Sequence, residues 1–116
     1  MAEVFTALKT ILTPYADRLK VIADTDTDYV LDSHHVMPNG KELFFGAVKF
    51  KKSYTSFHLM PVYVYPSLLE PISEGLRKRM QGKSCFNFRK PDEALFAELS
   101  DLTSRGFDAY RENGQI

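Results

Sequence analysis

Apolar residues along this chain change their spacing as it proceeds, and each change marks an element. Val4, Leu8, Ile11, Leu12, Tyr15 and Leu19 recur every three or four positions, which predicts a helix over the first twenty residues. Pro14 cannot donate a backbone hydrogen bond, so the helix kinks or restarts there, with Thr13 as its cap and Pro14 at the first position. The run "IADTDTD" reads as a polar connection. From Tyr29 the period drops to two, the spacing of strands. "YVLDSHHV" is a first strand, and Pro38, Asn39 and Gly40 supply turn chemistry after it. "ELFFGAVKF" and "SYTSFHLM" are a second and a third, joined by a short polar link at Lys51 and Lys52. Links that short favour antiparallel neighbours.

"PVYVYPSLLEPISEGLRKRMQG" reads as a loop followed by helical turns, with Pro66 and Ser73 as starters and Gly82 as a stopper. "SCFNF" is a short fourth strand. Leu95, Leu99, Leu102, Gly106 and Tyr110 then mark one stripe of a terminal helix. Asp92 and Glu93 fall in its first turn, where the helix dipole favours acids. The order predicts an α+β fold, a two-layer sandwich. Its antiparallel sheet has four or more strands, with the N- and C-terminal helices on one face.

Composition adds bounds to this picture. A chain of 116 residues fits one domain, 1–116, and 44% hydrophobic content with nine Phe and six Tyr fills one core. The single cysteine cannot form an internal disulfide, and the N-terminus lacks a signal-peptide pattern. No apolar run approaches the roughly 20 residues that span a bilayer, so a cytoplasmic protein without a membrane partner is expected.

The formal net charge of zero hides an asymmetry. Residues 1–40 carry three basic and six acidic side chains, and residues 91–116 carry two and six. Residues 41–90 carry ten basic against three acidic. A basic middle between acidic ends either faces an anion or pairs with those ends once folded.

Alternation in the third predicted strand puts Tyr54, Ser56, His58 and Met60 on one face, opposite Ser53, Thr55, Phe57 and Leu59. In the fourth, Cys85 and Asn87 oppose Ser84, Phe86 and Phe88. If the aromatic faces lie beneath the helices, the other face gathers Tyr54, Ser56, His58, Cys85 and Asn87, provided the register allows it. Cys85 and His58 then share a face, which raises an enzyme with a thiol nucleophile as one reading. That chemistry needs a base to hold a thiolate and donors for an oxyanion, and no sequence signature supplies either. The bland reading is a half-buried sheet face whose polar groups satisfy one another.

His34 and His35, adjacent in a strand, point to opposite faces and make poor co-ligands. The run "DTDTD" lacks the spacing and glycine of a calcium loop, and no tight metal motif is present. Weak, oxygen-rich iron binding at Asp24, Asp26, Asp28 and Asp32 stands against a solvated turn. The cations of "RKRMQGK" complement a helix C-terminus, and no motif of nucleic-acid recognition accompanies them.

The segments "FFGAVKFKKSYTSFHLMPVYVYPSLL" and "LRKRMQGKSCFNF" resemble the YdhG-like family of small bacterial domains, a family of unknown function. The features that carry the resemblance are Phe44 to Gly46, Lys52 to His58, and the turn at Gly82 and Lys83, and it spans nearly the whole chain. It implies a frataxin-like two-layer fold and, for some relatives, a role as an intracellular iron chaperone. Frataxin-type iron binding uses an acidic ridge on the first helix. Here that helix carries Glu3 and Asp17 against Lys9, Arg18 and Lys20.

Three readings therefore meet the structure. The first is a domain that binds a small anionic ligand or a protein partner through its polar sheet face and basic strip, with no cofactor named by the sequence. Its candidate site is Lys52, Tyr54, Ser56, His58, Lys83, Cys85 and Asn87, a mix of an aromatic and convergent polar groups typical of ligand sites. The others are an iron-binding protein and an enzyme using Cys85 and His58.

Overall fold

The computed structural model describes residues 2–116. Its first helix, α1 (Ala2–Leu12), buries Val4, Phe5, Leu8, Ile11 and Leu12 on one face. The chain then tightens into a 3-10 turn, Thr13–Arg18. Pro14 is accommodated in its first positions, as its ring requires, but the cap is the backbone of Leu12 and not Thr13. Leu19 is buried in extended backbone at the end of that turn, so its apolar spacing does not belong to the helix.

The start of the segment expected as a polar connection is instead part of a strand, β1 (Lys20–Asp24), and only residues 25–27 remain as the link to the next strand. Next come β2 (Asp28–Val36), β3 (Glu42–Phe50) and β4 (Thr55–Leu59). Two short helices, α2 (Pro61–Val64) and α3 (Glu74–Arg77), flank a 3-10 turn at Pro66–Leu69. Strand β5 (Cys85–Phe88) and helix α4 (Glu93–Glu112) complete the chain. Ser73 and Asp92 cap α3 and α4 with their side chains, each accepting from an amide three residues on.

The sheet is a five-stranded antiparallel meander in the order β1-β2-β3-β4-β5. Helices α1 and α4 lie side by side on one face, α1 over β3, and the short helices gather around α4. This is the expected α+β sandwich, with one strand more than the minimum of four. Beyond β5, Arg79 and Gln81 exchange backbone hydrogen bonds with Asn87 and Cys85, so residues 79–81 run along that edge. The segment before β5 thus sits at the sheet's edge and in the helical layer, and it leaves the other face open.

Three register shifts break the alternation, two of them bulges of one residue and the third a wider irregularity in β2 between Asp32 and Val36. Leu31 pairs with Gly46 but Asp32 pairs with Phe44, which makes Phe45 an extra residue in β3. Phe45 and Gly46 then both face the helices. Phe45 meets the rings of Tyr15, Phe107 and Tyr110, and Gly46 lets Leu12 approach the sheet. A Cβ there would lie 3.0 Å from the carbonyl oxygen of His58 and 3.2 Å from Leu12 Cδ2. The Tyr110 hydroxyl donates to the Phe44 carbonyl at 2.8 Å, satisfying backbone beside the bulge. The second bulge, at Ile22, interrupts β1 against β2.

One buried group is left over. Thr55 Oγ1 lies in the core without a hydrogen-bond partner among the described residues. An unsatisfied buried hydroxyl is destabilising, so Thr55→Val, of nearly the same shape, should raise stability by about 1 kcal/mol in a denaturation experiment. A loss of stability would show that the hydroxyl is satisfied.

Candidate functional site

Strands β4 and β5 pair with Ser56 opposite Asn87, Phe57 opposite Phe86 and His58 opposite Cys85. Phe57, Leu59, Phe86 and Phe88 are buried beneath the helices. Ser56, His58, Cys85 and Asn87 therefore share the open face. His58 Nε2 stands 3.1 Å from Ser56 Oγ and 3.9 Å from Cys85 Sγ, and the thiol donates to Asn87 Oδ1 at 3.5 Å. Burial lowers the pKa of His58, helped by the charges of Lys49 and Lys51. Burial also raises the pKa of Cys85, against the pull of Lys51. Both groups are displaced toward their uncharged forms, the opposite of a thiolate–imidazolium pair. The cluster can exchange hydrogen bonds with a polar ligand, and the direction of both shifts disfavours a resting thiolate.

The His58 shift has a consequence for stability. Below the ordinary imidazole value of 6.5 the unfolded chain takes up a proton that the folded chain resists. Stability should fall as pH drops from about 7 to about 5, and His58→Gln should flatten that part of the profile. Thermal midpoints for the two proteins across this range test it, and parallel profiles would assign the acid loss elsewhere.

Tyr54 and Asn87 lead from this cluster to a cleft of about 510 Å³ at the β5 edge. Its other walls are Lys78, Arg79, Met80, Gln81 and Arg89. Asn87 joins the two features, because it accepts from Cys85 and also lines the cleft. The cations reach it through the edge pairing: Arg79 receives the Asn87 amide, and Arg89 directly follows β5. Among the described residues no carboxylate lines the wall. Among the described residues no ion pair holds Lys78, Arg79 or Arg89.

That absence extends along the basic middle of the chain. Of its ten cations only Lys49 meets a carboxylate, Asp28 at 4.0 Å, among the described residues. The acidic ends spend their charges elsewhere: Asp24 pairs with Lys9, Asp101 with Arg105 and Asp108 with Arg111.

Two of the residues singled out from the sequence lie away from this cluster. Lys52 is exposed in the link between β3 and β4 and borders neither the cleft nor the cysteine. Lys83 lines a separate depression beside α2. Lys78, Arg79, Gln81 and Arg89 were not singled out as a site. The turn at Gly82 folds residues 79–81 back along β5, and Arg79 and Arg89 then line the same cleft.

The acidic run is partly committed to structure. Asp28 accepts from the Thr27 hydroxyl, and Asp24 from Lys9. Among the described residues no three His, Cys, Asp or Glu side chains converge as a metal site. No helix among them is long and apolar enough to cross a membrane.

Fold and site together define a class: a two-layer α+β domain whose open sheet face runs into a basic cleft. Compared with protein-family models, curated proteins and solved structures, the chain has no match.

Proposed function

We propose that this protein is a binding domain for a small, multiply charged anion, seated in the cleft between Tyr54, Asn87 and the cations Lys78, Arg79 and Arg89. The observation that carries this reading is, among the described residues, the set of unpaired cations around a cleft with no carboxylate in its wall. Guanidinium groups bind carboxylate and phosphate oxygens through paired, charge-assisted hydrogen bonds. The volume falls within the roughly 300–1,000 Å³ of small-molecule sites. The Tyr54 ring adds an apolar surface, and Asn87 links the ligand to the neutral cluster of Ser56, His58 and Cys85. A cytoplasmic setting, rich in phosphorylated and carboxylated metabolites, suits such a ligand. The resemblance to YdhG-like domains belongs to the same proposal, and the order of helix, antiparallel sheet and helix supports it.

Titration calorimetry with inorganic pyrophosphate and with citrate tests the reading. Saturable binding to one site should weaken with added salt, and Arg79→Gln or Arg89→Gln should each lower affinity about tenfold. Equal, weak binding of both anions to the wild type and to the Arg79→Gln/Arg89→Gln double variant would sink it.

A further inference from the structure

A second depression, of about 620 Å³, lies on the helical side of the same edge segment. Val62, Tyr63, Pro66, Leu69 and Met80 supply its apolar wall. Val62 belongs to the core, and Leu69 and Met80 pack against it, so the apolar lining is continuous with the protein interior. Tyr63, by contrast, leaves half of its surface in solvent. Large apolar surface left open beside a concavity is a recurring mark of a binding site.

The charged members of the wall are Arg77 and Lys83, and among the described residues no carboxylate accompanies them. Arg77 Nη2 donates to the Leu69 carbonyl at 2.9 Å, which holds the guanidinium beside the apolar wall while its other donors stay available. Among the described residues neither cation has an ion-pair partner. Lys83 is placed by the preceding turn: Gly82 has φ +80°, a conformation that glycine takes without strain, and it returns the chain toward β5.

We propose that this depression binds a small amphiphilic anion, a molecule with an apolar chain or ring and one carboxylate-like head. The apolar body rests on Val62, Pro66, Leu69 and Met80 under the Tyr63 ring, and the head meets Arg77 and Lys83. Eight residues line the depression, well short of the roughly 20–30 a side of a stable protein interface, which favours a small molecule over a folded partner. The wall differs in kind from that of the Arg79 and Arg89 cleft, where polar groups and cations suit a hydrophilic anion. The two sites are therefore separable by ligand chemistry.

The test uses the full chain, isotopically labelled, titrated with sodium decanoate below its micelle concentration and followed by amide chemical shifts. Saturable shifts are expected at Tyr63, Leu69, Gly82 and Lys83. Decanol, which keeps the chain and lacks the charge, should bind about tenfold more weakly. Lys83→Gln and Arg77→Gln should bring decanoate toward the affinity of decanol, and Tyr63→Ala should weaken both ligands. Lys83 and Tyr63 are exposed, so their variants are expected to fold. Inorganic pyrophosphate should leave these four amides unmoved. The proposal is overturned if decanoate gives no saturable shifts, or if its shifts gather at Asn87 and Arg89. It is equally overturned if decanol matches decanoate in the wild type, or if pyrophosphate moves the same four amides.

Discussion

Phe45→Ala should destabilise the protein by about 3–5 kcal/mol, the range for emptying a fully buried aromatic position. Phe44→Ala, one residue earlier, should lose only about 1 kcal/mol, because its ring is half-buried. The contrast follows from the bulge. Gly46 faces Leu12 on the helical side, so strict alternation would send Phe45 to the open face. The extra residue in β3 turns it inward instead, where its ring centroid lies 5.9–6.0 Å from those of Tyr15, Phe107 and Tyr110. Removing it leaves three aromatic side chains from two helical segments without their common neighbour. Denaturant midpoints with unchanged slopes measure both losses. The reverse ranking would place Phe44, and not Phe45, beneath the helices.

Gly106→Ala is expected to lower stability by about 1–2 kcal/mol, although alanine is the better helix former. Two effects compete at this position in the middle of α4. Helix propensity favours alanine by roughly 0.5–1 kcal/mol. Against that, a Cβ would stand 2.9 Å from Pro61 Cβ and 3.1 Å from Pro61 Cγ. The Pro61 ring is stiff, and it opens α2 directly after Met60, whose amide is tied to the Phe45 carbonyl. It cannot retreat without disturbing the sheet, so crowding should win. A double-mutant cycle with Pro61→Gly isolates the contact: the Gly106→Ala penalty should shrink by about 1 kcal/mol in that background. A Gly106→Ala protein more stable than the wild type would show that α4 packs more loosely there.

The parts of this fold that were legible in the sequence are those where one periodicity runs undisturbed. In β4 and β5 the alternation is clean, so Ser56 with His58 and Cys85 with Asn87 could each be assigned to a face of their own strand, and the observed register brings the two pairs together. The stripe of α4 was equally plain, and Leu99, Leu102, Gly106 and Tyr110 are all buried. Strand β1 escaped because its bulge sets Val21 and Ile22 side by side as exposed apolar residues, which destroys the period-two signal. The buried Leu19 then read as the last rung of a helix. The basic cleft escaped for a different reason. It depends on residues 79–81 folding back on β5, a tertiary pairing that a run of cations followed by glycine does not reveal. The same pairing decides that Lys83 faces the α2 side while Arg79 faces Tyr54.

The bulge at Ile22 also bears on how copies of this protein treat one another. A sheet can grow by adding strands at its free edges, and exposed apolar edges are where aggregation starts. At β5 the chain covers its own edge with residues 79–81. At β1, Val21 and Ile22 are exposed, but the extra residue bends the strand and increases its twist. A second copy laid alongside could not keep a continuous ladder of hydrogen bonds with it. Straightening β1 by deleting Ile22 would remove an apolar side chain and yet produce a stickier molecule.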